Sequence, residues 1–313
     1  MKKSQMSRIA DRVGTSPATV SRAINHCPGV GTELREQILA MAAEEGIIGK
    51  VDSDTDVYVI LPDIPVYFWG SLRECLASHL ATHGITAKYN VYSRLGDRDT
   101  VERYLNEAAA TEAAVVLIAA KYEGLDERLA RMTAERAVFS VAEYTEAPNV
   151  CFIGSDREAD GRLMAERVLA DHPDLAHILL VGNDLARTAG FMRAAGGRVL
   201  HTLTPNREAS AAELARDLDR LQTRTPMDAI IGLDGNMPRL CSAMTKCKLE
   251  IPFYGFEQGS TDDRYADPIG LVCQDLDGIA RAAALATAHY VRKREWPDTK
   301  YTFIPSIYRE RQR

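Results

Sequence analysis

Ser16, Pro17, Ala18, Thr19, Ser21, Arg22 and Asn25 crowd a short stretch near the start of the chain, and their types suit hydrogen bonding to a duplex. Arg22 carries a planar fork of donors that can pair bidentately with a guanine edge, which makes it the candidate for base readout. Ser16, Thr19, Ser21 and Asn25 are short hydrogen-bonding residues better suited to phosphates, contacts that set register without reading sequence. A second set lies far downstream at the expected ends of strands: Phe68, Trp69, Glu143, Arg187, Asp234, Gln274 and Asp275. Flat rings such as Phe68 and Trp69 stack on the apolar face of a pyranose or a base, although the same rings could pack a core. An arginine facing carboxylates suits a polyol, each acceptor taking a hydroxyl proton. For Arg187 the alternative is a solvated arginine at a helix start. Glu143 could equally be a surface residue.

The first set needs two short helices. Ile9, Ala10 and Val13 fall on one helical face, and Val20, Ala23 and Ile24 on another. Gly14 can end the first helix with a positive φ, and Ser16-Pro17 is a hydroxyl cap followed by proline at the first helical position. This is a helix-turn-helix pattern, whose second helix offers Pro17, Ala18, Thr19, Ser21 and Arg22 to a major groove. Spacing alone also fits an ordinary αα-hairpin. A third amphipathic segment over 32–45, with Leu34, Ile38, Leu39, Met41 and Ala42 on one side, favours a three-helix unit.

From Asp56 onward, short apolar runs alternate with helical patterns. Strands are predicted at 57–62, 86–92, 114–119, 137–141, 150–154, 178–182, 199–203, 229–233, 252–256 and 270–273, with helices between most of them, including 71–83, 186–195 and 276–292. Many of the runs are nearly continuous apolar stretches, as in parallel strands covered on both faces. The repeated strand, helix, strand order predicts two doubly wound parallel sheets, one per lobe, with ligands beyond the carboxyl ends of the strands and facing each other across a cleft.

The run Ile9-Ala-Asp-Arg-Val-Gly-Thr-Ser-Pro-Ala-Thr-Val-Ser-Arg-Ala-Ile-Asn25, followed by Val30-Gly-Thr-Glu-Leu-Arg-Glu-Gln-Ile38 and Glu44-Glu-Gly-Ile47, resembles the DNA-binding headpiece of the lactose-repressor (LacI/GalR) family. The resemblance implies that positions 17, 18 and 22 select an operator. Over about residues 56–293 the chain also resembles, less closely, the effector half of that family, which shares its fold with periplasmic sugar-binding proteins. Phe152-Ile-Gly-Ser-Asp156, Ala159-Asp-Gly-Arg162, Ile251-Pro-Phe-Tyr-Gly-Phe-Glu257 and Leu271-Val-Cys-Gln-Asp275 carry it. It implies that Phe68 and Trp69 sandwich a sugar, that Arg187 holds its hydroxyls, and that Asp234 accepts from one of them, with Gln274 and Asp275 on the opposite wall.

One stretch departs from the family. The family's linker carries an asparagine, an arginine and a leucine in a hinge helix that enters the minor groove. Here only nine residues separate Ile47 from Val57; Asp52, Asp54 and Asp56 repel phosphate, and no leucine is present to wedge into a base step. Head and body must therefore couple through a short tether or by direct packing.

The expected organisation is a helix-turn-helix headpiece at 1–50, a linker at 51–56 and a two-lobed periplasmic-binding-protein-like body at 57–313. Lobe 1 covers about 57–155 and 276–293, and lobe 2 about 156–275 and 294–313. Residues 1–50 hold seven Lys and Arg against five Asp and Glu, the rest 31 against 39, so a mildly basic head sits on an acidic body. No signal-peptide pattern and no run of eighteen apolar residues occurs, which predicts a cytoplasmic protein with no membrane partner. The six cysteines lack a CxxC pair and read as free thiols.

No dinucleotide turn, Walker sequence, GxSxG or HExxH occurs. His79 and His83 share a helix face, but Leu80 stands where a zinc protease needs glutamate, so neither a metal nor a cofactor is expected. The expected function is a metabolite-controlled, sequence-specific transcription regulator, a repressor acting as a homodimer through body helices such as 71–83. The alternatives are a cytosolic sugar or nucleoside sensor whose headpiece docks protein, and a sugar-processing enzyme.

Overall fold

The protein is seen in a computed structural model that describes residues 5–24, 30–31, 34–35, 37–38, 41–42, 56–63, 67–94, 96–111, 113–206, 209–233, 237–256 and 268–310. Asn25, Cys27, Asp52, Asp54 and Asp234 lie outside the described residues, as does most of the linker.

In the headpiece, helices α1 (Gln5–Val13) and α2 (Pro17–Ile24) are separated by Gly14 at φ 71°. That left-handed conformation is costly for any residue with a Cβ, and it brings the Thr15 amide back to the Ala10 carbonyl at 2.9 Å. The Ser16 hydroxyl accepts from the Thr19 amide at 3.0 Å and caps α2. Ile9, Ala10, Val20, Ala23, Ile38 and Ala42 are buried together, with Met6, Val13, Val30, Leu34 and Met41 packed around them. Residues 34, 35, 37, 38, 41 and 42 are helical, so a third helical segment supplies the wall the first two helices need.

The chain divides into two units, 1–65 with 69–154 and 276–303, and 66–68 with 155–275 and 304–313. The first contains the sheet β11-β5-β4-β3-β1-β2 and the second β12-β10-β9-β8-β6-β7. Strands β1 to β5 are Val57–Pro62, Ala87–Tyr92, Val115–Ile118, Ala137–Val141 and Cys151–Gly154. Strands β6 to β10 are His177–Val181, Val199–Leu203, Ala229–Gly232, Phe253–Phe256 and Gly270–Cys273, and β11 and β12 are Tyr301–Phe303 and Ile307–Glu310. Every pairing is parallel except β10 with β12. All six residues of β1 are buried, as are all those of β3, β4, β8 and β9; helices cover both faces of strands such as these. In each sheet the strand order reverses beside the first strand, between β1 and β3 and between β6 and β8, and that is where such folds leave a crevice at the carboxyl ends.

Three expectations need correction. The stretch 294–303 belongs with the first unit rather than the second, because Tyr301, Thr302 and Phe303 pair with Phe152, Ile153 and Gly154. The helix expected from Ser71 runs Tyr67–Thr82, so the aromatic run occupies its first turn instead of preceding it. Asp56 is tied to the first sheet: its carboxylate accepts from the Thr86 amide at 3.3 Å and its carbonyl from the Ala114 amide at 3.0 Å.

In the second unit, helices Arg157–Asp171 and Leu185–Ala194 meet backbone to backbone at Gly161 and Gly190. A methyl on Gly161 would run into the Arg187 carbonyl, and one on Gly190 into the Glu158 carbonyl. Gly161→Ala is expected to lower the stability of this unit by about 1–3 kcal/mol, since neither helix can retreat without opening the core beneath. A urea melt followed by circular dichroism measures it, and an unshifted midpoint would show that the helices are not held at this separation.

Candidate functional site

On the headpiece, Pro17, Ala18 and Arg22 are exposed on α2, and Thr19 and Ser21 are half-buried. Ser16 is exposed, but its hydroxyl is committed to the cap and lies 2.9 Å from the Thr19 hydroxyl. The apolar side of α2, Val20 and Ala23, is fully buried, and this fixes Pro17, Ala18 and Arg22 on the outward side.

In the second unit the chemistry gathers at the carboxyl ends of β6, β8 and β9. Asp184 caps the helix Leu185–Ala194 by accepting from the Arg187 amide at 3.0 Å. That cap sets the first turn, from which the Arg187 side chain runs inward and is only 6% exposed. Its Nη1 donates to the Leu233 carbonyl at 2.9 Å, so one hydrogen bond spans the ends of β6 and β8. Nη2 lies 3.8 Å from Asp160 and Nε 3.8 Å from Asp184. The guanidinium carbon sits 4.3 Å from the centre of the Phe256 ring, where a cation is attracted to the π face. Nε makes no hydrogen bond among the described residues. The solvated-arginine alternative is thus excluded: the guanidinium is buried and held in place, with Nε unbonded among the described residues.

Asp160 sits in the first turn of the helix Arg157–Asp171, which Asp156 caps through the amides of Glu158 and Ala159 at 3.0 Å each. Burial pushes the Asp160 carboxyl above its ordinary 3.8, opposed by the hydrogen bond that the Ser155 hydroxyl donates at 3.1 Å and by the charge of Arg187. Asp160 and Phe256 were not singled out from sequence. A carboxylate on the otherwise apolar inner side of a helix is the signal that could have found Asp160, whereas Phe256 looks like any other strand residue.

Trp69 is 7% exposed and Phe68 half-buried, both in the first turn of the helix that follows β1. Glu143 is half-buried just beyond β4, after Ala142 at φ 63°, and its carbonyl accepts from the Ser140 hydroxyl. Gln274 and Asp275 are half-buried in the two-residue link from β10 to the helix Leu276–Lys293. The structure therefore gathers Arg187 with Asp160, Leu233 and Phe256, and places every other described candidate of the body within a few residues of a strand's carboxyl end. His79 Nε2 and an Asp277 carboxylate oxygen are hydrogen-bonded at 2.8 Å, and among the described residues no group of three or more His, Cys, Asp or Glu could hold a metal. No described helix is long and apolar enough to cross a membrane. Cys75, Cys151, Cys241, Cys247 and Cys273 are free thiols.

The sequence profile of the bacterial regulatory proteins of the lacI family matches residues 5–46, the three-helix unit just described. The chain carries a lacI-family headpiece. No curated protein matches the chain in sequence. Among solved structures, the chain is similar to the Lac repressor bound to ONPG in its repressed state, with a TM-score of 0.66 at 15% identity over 99% of both chains. It is also similar to the Caulobacter myo-inositol binding protein bound to myo-inositol, with a TM-score of 0.67 at 17% identity over 83% of this chain and 94% of that one. A third is a periplasmic ribose ABC transporter protein of Conexibacter woesei DSM 14684, with a TM-score of 0.69 at 15% identity over 82% of this chain and 92% of that one. The lacI-family headpiece is thus joined to an α/β body with the fold of periplasmic sugar-binding proteins.

A carboxyl whose folded-state pKa is raised favours the folded protein while protonated, and that advantage is lost as pH rises through the raised value. The stability of the wild type relative to Asp160→Asn should therefore fall as pH climbs from the ordinary 3.8 through the raised value. Denaturation midpoints of the two proteins across that range measure it. A constant difference would show that Asp160 is not perturbed.

Proposed function

We propose that the protein is a sequence-specific DNA-binding transcription regulator, a repressor, whose operator affinity is set by a sugar or sugar derivative bound at the carboxyl ends of the body's strands. The observation that carries the reading is the outward face of α2 in a lacI-family headpiece: Pro17, Ala18 and Arg22 are exposed while Val20 and Ala23 are sealed beneath. A helix held this way can lie in a major groove and offer one guanidinium to a guanine. Thr19, Ser21 and Asn25 are assigned to phosphate or sugar contacts, with the Ser16 hydroxyl kept for the cap. One headpiece buries little surface, so a tight specific site calls for two, and the working form is a homodimer on a near-palindromic operator.

For the metabolite, Arg187 is the anchor. A buried guanidinium whose Nε makes no hydrogen bond among the described residues suits a hydroxyl oxygen, and its other contacts hold it still before a ligand arrives, which reduces the ordering cost of binding. Phe68 and Trp69 are assigned to the ring face, and Glu143, Asp234, Gln274 and Asp275 to hydroxyl protons. That the similar solved proteins include binders of myo-inositol and a ribose transporter protein supports a polyol. Binding without turnover suffices, and a coupling of about 1–3 kcal/mol between metabolite and operator would regulate transcription.

Two measurements test the reading. Arg22→Ala should weaken operator binding by about 1–3 kcal/mol per half-site and flatten the preference for operator over random duplex, with the response to metabolite retained. Wild-type binding should also fall steeply with salt, as counterion release requires. A headpiece that instead docks protein would show neither effect. In a thermal-shift screen over sugars, sugar phosphates and nucleosides, a true effector at about a hundred times its Kd should stabilise the protein by about 2.7 kcal/mol. Asp275→Ala should lose that shift, and an unchanged shift would remove Asp275 from the pocket.

A further inference from the structure

The first unit has an opening at the opposite end of its sheet from Glu143 and Trp69. Thr133, Asn149, Cys151, Trp296, Pro297 and Lys300 line a cavity of about 450 Å³. Thr133 lies shortly before β4, Asn149 and Cys151 lead into β5, and Lys300 immediately precedes β11, so the cavity lies at the amino ends of these strands. Its volume falls in the range of small-molecule pockets. Nothing in the proposed regulator mechanism uses it.

The lining specifies a chemistry. Trp296 is 37% exposed although two rings brace it: Phe139 at 6.3 Å and Tyr290 at 5.4 Å, both edge to face. An indole held by two neighbouring rings and partly open to a cavity can serve as a stacking platform. Lys300 is the one cation in the lining. Its ammonium donates to the Glu146 carbonyl at 3.2 Å and lies 5.2 Å from the Tyr301 ring centre, which fixes its position and leaves capacity for a further acceptor. The helix Leu125–Met132 ends at Thr133, and the partial negative charge of a helix C-terminus disfavours a multiply charged anion such as phosphate. A single ammonium likewise matches a single negative charge. Burial pushes the Cys151 thiol up while Lys300 pulls it back, so the sulfur is an inert wall rather than a nucleophile. Asn149 and Thr133 add hydrogen-bonding groups at the rim.

We propose that this cavity is a second small-molecule site, taking an aromatic monocarboxylate with its ring on Trp296 and its carboxylate on Lys300. The proposal does not depend on the DNA or sugar reading, and either can fail alone.

Equilibrium dialysis of the full chain with benzoate and 4-hydroxybenzoate tests it. One saturable site is expected, with Kd of about 0.1–5 mM for ligands of this size. Benzyl alcohol keeps the ring without the charge and acetate the charge without the ring; each should bind at least about tenfold more weakly. Lys300 is exposed, so its truncation should be tolerated. Lys300→Ala should weaken benzoate about tenfold or more, and Lys300→Arg should restore most of the affinity. With two tryptophans in the chain, the indole N–H signal that benzoate shifts in NMR spectra should be the one missing from Trp296→Phe. No saturable binding to wild type, affinity unchanged in Lys300→Ala, or a shift confined to the Trp69 signal would each overturn the proposal.

Discussion

A parallel sheet buried on both faces has only its strand ends to offer a ligand, and this constraint shapes the whole body of the protein. β1 is buried at all six positions, and its neighbours toward the sheet centre are no more open. Polar side chains therefore cannot enter from the faces without large desolvation costs. They collect where the strands stop. At the carboxyl ends, the reversal of strand order in each sheet keeps the covering helices apart. There the chain places Phe68 and Trp69 after β1, Arg187 after β6 and Leu233 after β8. At the amino ends, a braced indole and one ammonium line a further opening.

Burying a guanidinium requires compensation, and Arg187 obtains it from several sources rather than from one ideal ion pair. Two carboxylates stand at 3.8 Å, one carbonyl accepts at 2.9 Å, and an aromatic face lies beneath. None of these alone would offset the loss of water, and together they leave Nε without a hydrogen bond among the described residues. A group nearly but not fully satisfied has a reason to bind a polar ligand. The raised Asp160 carboxyl is the other side of the same arrangement, an acid whose charged form burial disfavours and the Arg187 guanidinium partly restores. Both depend on the glycine crossing of their two helices, since Gly161 stacks directly on the Arg187 backbone.

The headpiece follows different physics. Its core, among the described residues, is six buried side chains, and what makes it definite is local: a left-handed Gly14, a capped proline start and an apolar stripe on each helix. Those same features turn Arg22 outward. Sealing Val20 and exposing Arg22 are a single consequence of helical periodicity.

What the sequence determined by itself was whatever depends on near neighbours. The helix-turn-helix could be read from Ile9 through Ile24 because turn, cap and apolar face lie within one stretch. Strands such as β1, β3 and β4 could be read because a run of apolar residues needs no knowledge of its partner. The tertiary structure decided what depends on distant pairing. β11 and β12 are short, half-exposed edge strands, and β11 exists because Tyr301 finds Phe152 about 150 residues back. That pairing moved 294–303 to the other unit. Arg187 could be named from its place after a strand, but Asp160, the Leu233 carbonyl and Phe256 join it from three other elements. Only packing brings them within reach, because electrostatic partners are chosen by distance in space and not by spacing along the chain.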